Sequence, residues 1–239
     1  MALFNLEPIT PRALAGFYRL LGASLIARGV TDCNAGIHRV HSGELFPWRH
    51  LPIVPLYPPG VLVVEWLLLA VSGVALLLLV RLRAALFVAL LATGMGLSQR
   101  YSNQGALALI VLICCVLKPT TPIELQHRVA SPNLDLLRYQ LLIVYTFSAL
   151  NKTRAGFLSG ATLSNLLSLP LSWAGFASWA VVLGELLLPL LFLWRPRPAW
   201  AGVLLLHLAF SFLMPGLVPF GLLMLALATL WLPRSLPTA

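Results

Sequence analysis

Residues 61–84 read VLVVEWLLLAVSGVALLLLVRLRA: twenty residues carrying one charge, Glu65, and then an Arg-Leu-Arg stop. A helix of 20 residues is about 30 Å long, the thickness of a bilayer's hydrocarbon core. Lipid offers the backbone no hydrogen-bond partners, so a segment this apolar is expected to satisfy its own peptide groups as a helix. The rest of the chain has the same character. Of its 239 residues 59% are hydrophobic and 10% charged, with a mean hydropathy of +0.91. That leaves too little polar surface to solvate a globule of this size.

Working outward from 61–80, seven further apolar segments stand near 13–30, 84–98, 105–117, 136–150, 173–194, 199–214 and 216–232. The breaks between them are marked by VRLRA, SQRYSNQG, LWRPRPAW and the Pro215-Gly216 pair. The third, fourth, fifth and seventh segments are short, so about eight membrane segments, with six to eight true crossings, are expected. No internal repeat and no soluble domain is apparent. The prediction is an all-α polytopic transmembrane bundle, one domain over residues 1–239.

The net charge of +9 comes from basic residues scattered singly and in pairs between apolar runs. They form no stripe that could follow a phosphate backbone, which points to a lipid membrane and away from nucleic acid. With the N-terminus inside and eight crossings, nine Lys or Arg fall in cytoplasmic loops, Arg138 among them, against five outside, which include Lys152 and Arg154. This bias places both termini in the cytoplasm, in a cell inner membrane. Loop 31–60, RYSNQG and NKTRAG then share the opposite face. The start MALFNLEPITPR has Glu7 and two prolines ahead of the first apolar segment and does not read as a cleaved signal. Cys33, Cys114 and Cys115 form neither a disulfide framework nor a CxxC motif.

Ionisable residues inside apolar segments are costly and mark partners, cavities or function. Glu185 sits near the middle of 173–194, four residues before Pro189, which has no N–H to give to the Glu185 carbonyl. His207 lies midway along the next segment, so a Glu185–His207 pair is expected either to relay protons or to lock two helices. Arg19 and Arg28, nine residues apart, cannot share one narrow face, and one of them is expected to face the bundle. Glu65 is expected at the interface. In loop 31–60, His38 and His41 have ligand-like i, i+3 spacing near Asp32, Glu44 and His50, but no metal signature completes the set and no metal is assigned. Lys152 has two readings: an interfacial anchor with its ammonium in the headgroups, or a buried base. Asn103, Gln104 and Tyr145 are candidates for holding a substrate.

The run LRYQLLIVYTFSALNKTRAGFLSGATL, residues 137–163, resembles a helix and following loop of the HTTM superfamily, the membrane domain of vitamin K-dependent γ-carboxylase. Lys152 falls on that family's lysine, Phe157 on its aromatic and Gly160 on its glycine. RYSNQGALALIVLICCVL (100–117) is similar to its Asn-rich turn, with Gln104 where the family has histidine. LGELLLPLLFLWRPRPAWAGVLLLHLAF (183–210) is similar to its Glu-Leu-Leu-Leu-Pro helix and the histidine-bearing helix after it. The resemblance implies carboxylase-like, lyase or oxidoreductase chemistry. In it Lys152 is the base that deprotonates reduced vitamin K or another quinone, and Asn103, Gln104 and Tyr145 position the substrate. Two other classes stand beside it: a non-catalytic DoxX-like membrane subunit of an oxidoreductase, which needs a membrane or extracytoplasmic partner protein, and a transporter coupled through Glu185 and His207.

Overall fold

A computed structural model describes residues 6–41, 58–99, 103–117, 125–153 and 155–232. Every apolar segment read from the sequence is a helix there. They are α1 (Pro11–His41), α2 (Pro59–Leu77), α3 (Leu82–Gln99), α4 (Asn103–Leu117), α5 (Pro132–Lys152), α8 (Leu171–Trp194), α9 (Pro196–Leu213) and α10 (Val218–Thr229). Two short helices, α6 (Ala155–Leu158) and α7 (Ala161–Leu167), fill the link from α5 to α8. Proline opens α1, α2, α5 and α9, where its missing N–H costs nothing. No strand occurs among the described residues; one isolated bridge ties Ile9 to Val129 through reciprocal hydrogen bonds of 2.8 and 3.1 Å.

Among the described residues, three helices contain segments long and apolar enough to cross a membrane: Pro11–Asn34, Gly60–Leu77 and Leu171–Trp194. Leu82–Ser98, Gln104–Leu117 and Val218–Thr229 are apolar but shorter. Large apolar side chains are left uncovered on most of the long helices, Leu67 of α2, Phe87 of α3, Phe147 of α5, Trp173 and Phe176 of α8 and Phe212 of α9 among them. This is the pattern expected where the solvent is lipid tail rather than water.

Consecutive long helices run back and forth and pack side by side, and α10 lies in the middle against α1, α5 and α9. Its residues 223–229 and the following Leu230 are all buried. At 12 residues it is about 18 Å long, short for a crossing, so its stability comes from protein neighbours. Ser24 donates to the Pro219 carbonyl at 2.7 Å, and the Trp200 indole donates to the Thr229 hydroxyl at 3.3 Å. Helices α1 and α2 approach closely at two glycines. A β-carbon on Gly22 would lie 2.4 Å from the Gly73 carbonyl oxygen, and one on Gly73 would lie 2.6 Å from that of Gly22. Small residues at such a crossing let backbones approach closely, and the packing this allows helps hold helices together inside lipid.

Several expectations need correction. Helix α1 runs on to His41 instead of ending near residue 30. Arg28 and Asp32 form an i, i+4 pair at 3.6 Å, the Thr31 hydroxyl donates to Ala27, and no proline intervenes before Pro47. Glu65 is buried against Gly96 rather than interfacial. Arg138 is no loop charge. It is buried and donates to the carbonyls of Leu230 and Glu7, each at 2.8 Å, and to Asp135 at 3.0 Å, with Trp231 stacked 5.9 Å from the guanidinium. This clasp fixes the end of α10 and the N-terminal segment onto α5. Of Arg19 and Arg28, it is Arg28 that turns inward.

Candidate functional site

The buried stripe of α5 repeats every three to four residues, Leu134, Leu137, Arg138, Leu141, Tyr145 and Ala149, and Lys152 continues it at the helix end. On α8 the inward stripe is Ser178, Val182, Glu185, Leu188, Pro189 and Phe192; on α9 it is Ala199, Val203 and His207. Three helices thus aim titratable side chains at one region. The resulting contacts differ from the expected Glu185–His207 pair.

Glu185 is bound by Lys152. The ammonium donates to both carboxylate oxygens at 2.7 Å and also to the Ser148 hydroxyl. His207 is bound by Tyr145, whose hydroxyl lies 2.9 Å from Nε2; the tautomer of the imidazole sets which group donates. Both pairs therefore share α5, and no hydrogen bond or ion pair joins Glu185 to His207. Phe210 and Phe220 stand edge-on to the imidazole, with ring centroids 6.1 and 5.6 Å away. Gly221 makes room for it, since a β-carbon there would come within 3.2 Å of the His207 Cβ.

The direction of Lys152 separates its two readings. Side chains on a helix tilt toward its N-terminus, so a lysine in the last turn of α5 can fold back over the preceding turn or extend past the end. An anchor extends, to keep its ammonium in headgroups. Lys152 folds back onto Ser148, one turn deeper, and into Glu185. The Glu185 side chain is 5% exposed and that of Lys152 25%, so the pair is closed on the glutamate side and opens on the lysine side.

Helices α6 and α7, which follow Lys152 in the chain, pack on α8. Gly160 precedes α7 with φ of 82° and rests on the α8 backbone, where a β-carbon would fall 2.3 Å from the Gly175 nitrogen. Only glycine meets both demands. Phe157, in α6, is half-buried.

Gln104 is not beside Lys152. It lines a cavity of about 80 Å³ between α1, α4 and α10, together with Ser24, Arg28, Asp32 and Phe220. The side chains of Asn103, His38 and His41, and residues Glu44, His50 and Arg154, lie outside the described residues. Ser148 completes the coordination of Lys152; its i, i+4 spacing to the lysine was the signal in the sequence.

The fold and these pairs define a helical protein suited to a membrane, with ionisable groups paired in its interior. Searches of family models, curated proteins and solved structures find no match to this chain.

Proposed function

We propose that the chain is a membrane-embedded acid–base site acting on a lipid-soluble, quinone-like molecule, with Lys152 as the base, as the HTTM resemblance implies. The observation that carries this reading is the inward fold of Lys152 onto Glu185 and Ser148. A buried ionisable pair is costly in lipid and is kept where it is used. In the ion-paired form the amine already holds its proton. To act as a base it first passes that proton to Glu185, which leaves a neutral amine and a neutral carboxylic acid and separates no charge. Ser148 then holds the amine in place, and the exposed flank of Lys152 is where a ligand's acidic hydroxyl would approach.

The same reading puts both termini in the cytoplasm of a cell with this chain in its inner membrane. Setting aside Arg138 and Lys152, which are engaged inside the bundle, the basic residues at the helix ends and in the links stand at eight against four, still favouring that orientation.

The test is oxygen consumption by the purified chain in nanodiscs with a panel of reduced quinones. Wild type is expected to show quinol-dependent uptake, and both Lys152→Ala and Lys152→Arg to lose it, because a guanidinium does not give up its proton. Activity retained by Lys152→Arg removes the base.

A second reading has its own support: with both carboxylate oxygens engaged by one ammonium, the pair also suits a fixed lock between α5 and α8 in a non-catalytic subunit. That reading expects no quinol-dependent uptake in any variant and a partner chain that co-purifies. The transporter reading has lost its coupling pair, since Glu185 and His207 each bond to α5 instead.

A further inference from the structure

We propose that the cavity between α1, α4 and α10 is a binding site for a small carboxylate-sized oxyanion, held by Arg28 and Gln104 and independent of the chemistry at Lys152.

Donors outnumber acceptors around this space. The Arg28 side chain is 13% exposed, its Nε is buried without a hydrogen bond, and its one contact is the 3.6 Å ion pair to Asp32. A guanidinium carries five N–H donors in a planar fork suited to two oxygens of one anion. The other hydroxyls in the wall are spent: Ser24 donates to Pro219 and Thr31 to Ala27. Gln104 makes no side-chain hydrogen bond among the described residues, so its amide is available from the opposite wall.

Two helix ends add to the positive potential. Gln104 is the second residue of α4, and Gly216, Pro219 and Phe220 bring the start of α10 to the same space. A helix N-terminus carries a partial positive charge of about half a unit. Arg28 and both helix starts meet at one cavity, with Asp32 the acid in its lining.

Size and walls narrow the ligand. About 80 Å³ is smaller than the pockets of several hundred Å³ that take drug-sized molecules, and suits three or four heavy atoms. Leu21, Leu25, Ala108 and Leu223 supply apolar walls, which favour a singly charged anion such as formate, acetate or bicarbonate over the more strongly hydrated phosphate or sulfate dianions. Phe220 lines this cavity and also meets the imidazole of His207 edge-on.

The experiment uses the full chain in nanodiscs and follows thermal unfolding while sodium formate, acetate or bicarbonate replaces sodium chloride at constant ionic strength. At least one of the three is expected to raise Tm saturably, and Arg28→Met to weaken the apparent Kd at least about tenfold, as loss of a charge-assisted bidentate contact does. Ala108→Met keeps both polar groups but fills the space and is expected to abolish the effect. This second variant decides the matter if Arg28→Met folds poorly. Lys152→Ala is expected to bind the anion as wild type does. An anion effect that is unsaturable, equal to that of chloride, or unchanged by Ala108→Met overturns the site.

Discussion

The unequal burial of Lys152 and Glu185 makes their removal unequal in cost. Taking away Lys152 strands a carboxylate that is 5% exposed and has no donor but the ammonium among the described residues. Breaking a buried pair in this way costs about 3–5 kcal/mol. Taking away Glu185 strands an ammonium that is 25% exposed at a helix end. That lysine can swing outward and extend to the interface, so the loss should be nearer about 2 kcal/mol, below the buried-pair range. Removing both with Lys152→Met/Glu185→Leu replaces the pair by apolar volume and should restore stability to within about 1 kcal/mol of wild type. In a chain of this size about 1 kcal/mol corresponds to roughly 2–4 °C of Tm, so the single variants should separate by several degrees. The assay is reversible unfolding in one fixed lipid composition, arranged as a double-mutant cycle. Equal losses for the two single variants would refute the argument from unequal burial, and losses that simply add in the double would mean that the ammonium and carboxylate are independent; either result refutes the reasoning.

Four further outcomes follow from other contacts. Tyr145→Phe leaves His207 Nε2 buried without its partner and should lower stability by about 1–3 kcal/mol, measured by the same unfolding assay. Gly22→Ala sets a methyl 2.4 Å from a backbone oxygen and should cost about 1–3 kcal/mol or more, whereas Gly184→Ala meets nothing and should be neutral or stabilising by up to about 1 kcal/mol. Arg138→Met removes the donors to Glu7 and Leu230, and limited proteolysis should then cleave the segment before α1 faster than in wild type. Gly160→Ala combines a positive φ with a 2.3 Å clash on α8 and should loosen α6 and α7, read as faster amide exchange across residues 155–167.

The eight long helices were legible because each is an apolar run closed by charge, proline or glycine, and those signals are local. What was not legible depends on distant parts of the chain. Glu65 looked interfacial from its place near a segment end, yet it is buried because Gly96 of α3 leaves space above it. Arg138 looked like a topology charge, and only the return of α10, 92 residues later, gives it a carbonyl to hold. Helix α10 itself read as one more membrane segment; its central position follows from its neighbours and leaves no trace in its own uniformly apolar sequence.

The polar interior was legible as a set of residues and illegible as a set of pairs. Period alone puts Tyr145, Ser148 and Lys152 on one side of α5, but it does not give the rotation of α8 and α9 about their axes, and that rotation chooses partners. Glu185 and His207 had equal claim to each other in the sequence, being mid-helix on adjacent antiparallel helices. Tyr145 and Lys152 lie two turns apart, about 10 Å along α5, so one stripe can serve two neighbours at two depths. This is why α5 takes both. A helix that holds α8 through an ion pair and α9 through a tyrosine couples the two: any movement of α5 that opens the Lys152 flank to a ligand also strains the Tyr145–His207 bond. The imidazole, met edge-on by Phe210 and Phe220, is then the natural place to read such a movement, for example as a shift in its ring resonances when the quinol of the proposed reaction is added.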